Sequence, residues 1–238
     1  MALQPWERSA RVYDALYGSM KDYLADARQI HTWIQAYNSG AATLLDVACG
    51  TGLHLEQLKQ FYECQGVDLS ESMLAVARNR NPEVRFHQGD MREFDLGDRF
   101  DAVTCLFSAI GYMPDVDSLE RAIANLARHL KPGGVCILEP WLTPDGWLDE
   151  HMDLMTVDEP HLKVARMNSS ERSGNTAILH MHHLVMTDEG VENYSEDHVT
   201  TLFTEAEYRQ AFERAGFDLS YDSEGFIGRG MYFGVVGG

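Results

Sequence analysis

Basic residues are scarce: 19 lysines and arginines stand against 37 aspartates and glutamates, a net charge of −18 over 238 residues. So acidic a chain is a poor general ligand for phosphate backbones or anionic lipid, and neither nucleic acid nor membrane is expected as a partner. No run approaches the ~18 apolar residues that read as a membrane-spanning helix. The start, MALQPWERSARVYD, has no basic stretch followed by an apolar one, so no secretory signal is expected and the protein reads as cytoplasmic. Cys49, Cys64, Cys105 and Cys136 are scattered without any C-x-x-C, which argues against both a disulfide framework and a cysteine metal site. A G-x-S-x-G elbow is also missing, which disfavours a serine hydrolase. His180 and His182 would share one face of a strand, but no third ligand has the spacing, so no metal is expected. Repeats and low-complexity tracts are absent.

What is present is ordinary globular material, 45% hydrophobic and 24% charged, of a length that suits one domain over residues 1–238. Residues 7–37 carry apolar positions at helical spacing. An apolar run at Thr43–Val47 leads into the turn Ala48-Cys49-Gly50-Thr51-Gly52 and a helix over Leu53–Phe61. The cycle repeats with a strand at Cys64–Leu69, a helix capped by Ser70, and a strand at Val84–Gln88. A further strand spans Ala102–Phe107, and a helix spans Asp117–Leu130 with Lys131-Pro132-Gly133-Gly134 as its stop. The fifth strand is Val135–Glu139. Short strands alternating with helices predict a doubly wound, Rossmann-like α/β sheet. Residues 162–203 read as three strands separated by the turns at 173–175 and 188–190, and an antiparallel β insertion over 142–203, after the fifth strand, is predicted. A capping box at Thr204 and Glu207 opens a last helix, followed by strands at Phe217–Tyr221 and Met231–Val236.

The turn at 48–52 puts small residues between a buried strand and a helix start, where a ligand can approach free backbone N–H groups. Asp68 ends the second strand 22 residues after Asp46, the position that faces a ribose in such sheets. Asp90 ends the third strand, and the flexible Met91 beside it suits an adenine face. A dinucleotide site fits less well, because GTGLHL lacks the third glycine of G-x-G-x-x-G.

DVACGTG at 46–52, VDLSESML with Asp68, GDM at 89–91, FDAVTCLF at 100–107 and LKPGGVCILEP at 130–140 resemble the class I S-adenosylmethionine-dependent methyltransferases. Ala48 stands where that family most often has glycine. The resemblance implies S-adenosylmethionine as cofactor and S-adenosylhomocysteine as product. It implies that Asp46 orients the turn, that Ala48 and Gly50 line the methionine end, and that Asp68, with Leu69 beside it, holds the ribose. Asp90 and Met91 would bind the adenine, with Leu106 on its other side.

The flanks VYDALYGSMKDY, FSAIGYM, EPW, DHVTTLFTEAEYRQAFERAGF and GRGMYFGV are similar to bacterial N,N-dimethyltransferases of nucleotide-linked amino-deoxysugars. This implies a helical lid over residues 1–38, with Tyr17 and Lys21 toward the cofactor and Tyr17 and Tyr112 as catalytic candidates. The 142–203 insertion would cover the substrate site. Glu139 and Trp141 end the fifth strand and would face the acceptor, as would Tyr112. Arg229, between two glycines, would bind a pyrophosphate bidentately. A net charge of −18 repels a nucleotide, which leaves a plain amine, a free amino sugar or another small amine or hydroxyl acceptor as the alternative. Exposed strand edges in the insertion predict a homodimer.

Overall fold

Five short segments between residues 43 and 138 alternate with helices and assemble into one parallel sheet. The structure is a computed structural model that describes Trp6, residues 8–18 and residues 20–237. Residues 1–5, 7 and 19 of the expected lid, and residue 238, lie outside the described residues. Two helices come first, α1 (Ala10–Tyr17) and α2 (Tyr23–Tyr37), followed by β1 (Thr43–Val47), α3 (Leu53–Leu58), β2 (Glu63–Asp68), α4 (Glu71–Arg80) and β3 (Arg85–Gln88). The second half of the sheet is built by β4 (Phe100–Cys105), α5 (Val116–Arg128) and β5 (Leu130–Leu138). The insertion holds β6 (Met152–Glu159), β7 (Leu162–Ser173), β8 (Thr176–Thr187) and β9 (Gly190–Thr201). Last come α6 (Glu205–Arg214), β10 (Phe217–Asp222) and β11 (Met231–Val236).

The central sheet has the order β10-β11-β5-β4-β1-β2-β3. Strands β1 to β5 are parallel, and β11 and β10 close the sheet antiparallel. Neither face of β1 can be wet. Leu45 and Val47 pack with Leu119, Ile123 and Leu126 of α5 and Phe212 of α6. Leu44 packs on the other face with Ile30 and Ile34 of α2 and Leu55 of α3. Strand order reverses between β1 and β4, so the crevice outside their carboxyl ends is where a ligand sits in such sheets. The fold is the expected doubly wound α/β sheet with an antiparallel insertion after the fifth strand.

Three local expectations are corrected. Lys131-Pro132-Gly133-Gly134 does not terminate a helix; α5 ends at Arg128 and the tetrapeptide lies inside β5. Gly133 takes φ +75 there, and the register against β4 shifts between Phe100 and Ala102, so the glycine marks an irregularity within the strand. The helix after the glycine turn stops at Leu58, short of Phe61. The insertion has four strands, because β6 precedes the three expected; β6 lies at the edge of the second sheet and is exposed along most of its length, with only Met155 and Val157 packed inward. The inner face of that sheet packs Val164, Val185 and Tyr194 against Val12, Leu16 and Tyr17 of α1. The N-terminal helix is thus clasped between the two sheets.

Candidate active site

The turn after β1 is shaped by left-handed backbone at Ala48 (φ +57), Gly50 (+55) and Gly52 (+76). A side chain at Gly52 would strike Asn81 Nδ2 at 2.8 Å, so small size there serves the packing of the turn on α4. A Cβ at Gly50 would meet nothing within 4 Å and would project into open space. Gly50 N–H donates to Asp68 Oδ2 at 2.8 Å, and Ser70 N–H donates to Oδ1 at 2.8 Å. One bond on each oxygen leaves the carboxylate with acceptor capacity for a diol. Burial raises the Asp68 carboxyl above its ordinary range, against these backbone bonds.

Asp46 lies behind the turn, 2% exposed, and accepts a bond from Thr104 Oγ1 at 2.7 Å. Burial pushes its carboxyl from the ordinary 3.8 up to about 7. With Ala48, Gly50 and Leu106 it borders one cavity, whose lining also includes Tyr13, Tyr23 and His54. These last three escaped the sequence reading. Tyr13 stands one helical turn from Tyr17, and that spacing was the available signal. The helix carrying it is tied to the turn by Asp14, which accepts a bond from Thr51 Oγ1 at 2.6 Å and pairs with Arg80.

Other expected residues are not among those lining this cavity. Leu69 is 47% exposed beside Asp68, while Met91 packs partly into the core. Asp90 is gripped by Arg92, whose Nε lies 2.9 and 3.1 Å from its two oxygens, and this pairing holds the Asp90 carboxyl below its ordinary range. The Tyr17 hydroxyl accepts a bond from Arg166 Nη1 of β7 and its ring meets Phe107 edge-on. Lys21 is drawn inward: its Nζ sits 3.1 Å from Asp26 and 3.8 Å from Glu139, between the rings of Phe107 and Phe226. Glu139 is fully buried and accepts the Phe107 N–H at 2.7 Å; its other oxygen has no hydrogen-bond partner. Lys21 and Glu139, expected at cofactor and acceptor, are therefore each other's neighbours.

The exit from β4 is strained. Phe107 (φ +53) and Ser108 (+60) are consecutive left-handed residues without being glycine, an arrangement that costs about 1–3 kcal/mol per residue and clusters at functional sites. Ser108 Oγ donates to the Pro140 carbonyl at 2.7 Å and accepts a bond from Arg229 Nη1 at 3.2 Å. The Arg229 guanidinium lies 4.7 Å over the Trp141 ring, and Gly111 is small because a Cβ would sit 2.7 Å from Trp141 Cβ. Ser108, Trp141, Arg229 and Glu139 thus converge at the ends of β4, β5 and β11. Tyr112, on the one-turn 3-10 helix Ala109–Tyr112, bonds His198 Nδ1 of β9 at 2.7 Å. The paired histidines of β8 have local partners: His180 contacts Asp197 and His182 contacts Ser195.

An open-faced glycine turn, a strand-end carboxylate with spare acceptor capacity and a lined cavity at the switch point together fit a nucleoside carrying an amino-acid tail. Residues 44–134 match the family described as the methyltransferase domain. Over 229 residues the chain is 43% identical to a dTDP-3-amino-3,4,6-trideoxy-alpha-D-glucopyranose N,N-dimethyltransferase of Streptomyces venezuelae, covering 95% of this chain and 97% of that one. The crystal structure of Streptomyces venezuelae DesVI is similar with a TM-score of 0.90 at 42% identity, covering 95% of this chain and 98% of that one. CalS10 from Micromonospora echinaspora, an amino pentose methyltransferase solved with S-adenosylmethionine bound, gives a TM-score of 0.83 at 38% identity, covering 99% of this chain and 98% of that one.

Proposed function

We propose, from the premise that this chain belongs to the S-adenosylmethionine-dependent methyltransferase family, that it transfers methyl groups to the amine of a nucleotide-linked amino-deoxysugar, twice on one nitrogen. The observation that carries the reading is the near-complete, 43% identical match to a dTDP-amino-sugar N,N-dimethyltransferase, together with a site whose arginine stacks on tryptophan at the substrate side. Bound S-adenosylmethionine supplies a methyl group on a cationic sulfur. The chain's own work is to bind, to orient and to keep water out, since in-line displacement by a neutral amine gains most from alignment in a dry site.

In this reading Asp68 takes the ribose hydroxyls. Ala48 and Gly50 offer backbone to the amino-acid end, and Asp46 supports them from behind. Leu69, Met91 and Leu106 enclose the adenine, and Asp90 takes its amino group by sharing the carboxylate that Arg92 now holds. Tyr17 and Lys21 act from the lid over 1–38, with Lys21 held in place by Glu139 and Asp26. Trp141 and Arg229 receive the nucleotide, where one guanidinium and a ring outweigh locally what the overall charge opposes. Tyr112 faces the reacting amine. Residues 142–203 cover the acceptor, and the exposed Leu154, Met167, Leu184 and Met186 on the outer face of their sheet suit a homodimer of a cytoplasmic enzyme. Light scattering that finds a monomer at micromolar concentration overturns the dimer.

A small cationic amine without a nucleotide remains the second reading, favoured by the charge of −18. Mass spectrometry with S-adenosylmethionine and two acceptors decides between them: a thymidine-diphosphate amino-deoxysugar, and the same sugar without its nucleotide. Gains of one and then two methyl masses on the nucleotide form alone are expected. Transfer to the free sugar alone overturns the nucleotide, and no transfer to either overturns the substrate class.

A further inference from the structure

Each methyl transfer to nitrogen leaves an ammonium, and a second transfer to that nitrogen requires its proton to go somewhere. Behind Tyr112 the structure holds a chain of polar groups that the binding of cofactor and nucleotide does not use. Tyr112 Oη lies 2.7 Å from His198 Nδ1. His198 is fully buried, and its Nε2 has no hydrogen-bond partner; Glu196 Oε2 is the nearest charge, at 3.8 Å. Glu196 is itself anchored by Ser9 Oγ at 2.5 Å and by the Arg8 N–H at 3.1 Å. Trp6 closes over the imidazole at 4.3 Å between ring centres. A buried donor left unbonded is destabilising. That cost falls when the ring becomes an imidazolium drawn to the carboxylate beside it, so the arrangement suits a ring that takes up a proton.

We propose that Tyr112, His198 and Glu196 form a proton relay that takes one proton from the substrate nitrogen between the two methyl transfers. The inference rests on the dimethylation reading above. The N–H bond of the monomethylammonium breaks and its electron pair stays on nitrogen. The proton bonds to Tyr112 Oη while the proton of Tyr112 moves to His198 Nδ1. The resulting imidazolium pairs with Glu196 and returns its proton to solvent water before the next turnover. Tyr112 touches the amine; His198 and Glu196 act through it and are positioning residues.

The surroundings agree. Burial raises the Tyr112 hydroxyl far above its ordinary value, so the proton passes through Tyr112 without leaving a tyrosinate. Burial alone would raise the Glu196 carboxyl, but the contacts from His198, Ser9 and the Arg8 N–H outweigh it and hold it at about 2, an anion at every working pH. Among the described residues, the other titratable groups facing this cluster include His183 of β8, which burial lowers to about 4 and so keeps neutral, and, on the side of Tyr112, Tyr13 and Tyr17 of α1 and the Asp68 carboxylate.

The test is His198→Asn, which keeps an acceptor for Tyr112 but cannot take a proton, with Glu196→Gln, which keeps an acceptor for Ser9 and the Arg8 N–H but removes the charge, as the second variant should the first not fold. Circular dichroism and S-adenosylhomocysteine affinity establish that each is folded. Product mass in single turnovers should show the first transfer within about threefold of wild type. The second should slow by about 10²-fold, the usual scale of lost acid–base assistance, so that monomethyl product accumulates. Raising the pH from 7 to 9 should narrow the gap, because solvent then removes the proton. Independently of turnover, the imidazole nitrogen resonances of His198 should report proton uptake when the amino sugar binds without methyl donor. Unchanged product ratios at every pH, or equal loss of both transfers at every pH, overturn the relay in favour of a purely structural His198. A wild-type enzyme that stops at one methyl refutes the dimethylation reading itself, and the relay with it.

Discussion

Replacing Asp46 with asparagine isolates what one buried carboxyl costs this fold. Asp46 is 2% exposed and receives the Thr104 hydroxyl at 2.7 Å. Asparagine keeps that acceptor and mimics the neutral acid. Burial raises the carboxyl from 3.8, its ordinary value and that of the unfolded chain, to about 7. For an acid with a raised folded value, the native state holds the extra proton between those two pH values. Stability is therefore greatest below 3.8, falls by about 1.4 kcal/mol per pH unit as the pH rises, and levels off above 7. The full fall is about 4 kcal/mol, of which about 3 lies between pH 5 and 7. Asparagine does not titrate. The variant should thus gain on wild type by about 3 kcal/mol from pH 5 to pH 8, which is about 2–4 °C in Tm per kcal/mol for a chain of this size. Denaturant melts at four pH values measure it. An offset between the two proteins that stays constant from pH 5 to 8 refutes the reasoning.

The same carboxyl borders the cavity, and a cationic ligand there favours its ionised form; at pH 6, S-adenosylmethionine should bind wild type with release of a proton, seen as a binding enthalpy that changes with buffer, and Asp46→Asn should abolish that dependence. Asp68→Ala removes the acceptor of two backbone N–H groups along with the proposed ribose contact. At roughly 1.5–3 kcal/mol per charged bond, S-adenosylmethionine affinity by calorimetry should fall at least about tenfold, and an unchanged affinity would remove Asp68 from the site. Gly111→Ala forces a methyl group to 2.7 Å from Trp141 Cβ. Overpacking of this kind costs about 1–3 kcal/mol and shifts the ring under Arg229, so acceptor KM should rise while cofactor affinity holds; an unaltered KM means that the stack does not serve the acceptor.

The geometry proposed to hold the cofactor was legible because it is local. The glycine turn, Asp46 and Asp68 sit at strand ends whose order follows from alternating strands and helices, and the chain places them without any distant contact. The acceptor half was not. Trp141 and Arg229 were marked as single candidates, but nothing in their spacing says that they stack, or that Ser108 joins them. Lys21 and Glu139 read as ligand-facing charges, yet burial turns them to each other, because an isolated buried charge costs more than a paired one. Strand β6 escaped because only Met155 and Val157 of its residues pack inward, an alternation too short to stand out in the sequence.

By itself, then, the chain's alternation of short apolar runs, capped helices and small-residue turns determined a parallel sheet with a glycine turn and a strand-end carboxylate at its switch point, since backbone geometry and burial patterning act over a few residues. Only the tertiary structure decided which distant side chains meet. Arg166 reaches Tyr17 across 149 positions, and Tyr112 meets His198 across 86. Both pairings arise because α1 and the β4 exit pack against the inner face of the antiparallel sheet. Their partners are set by that packing, and no periodicity in the sequence encodes it.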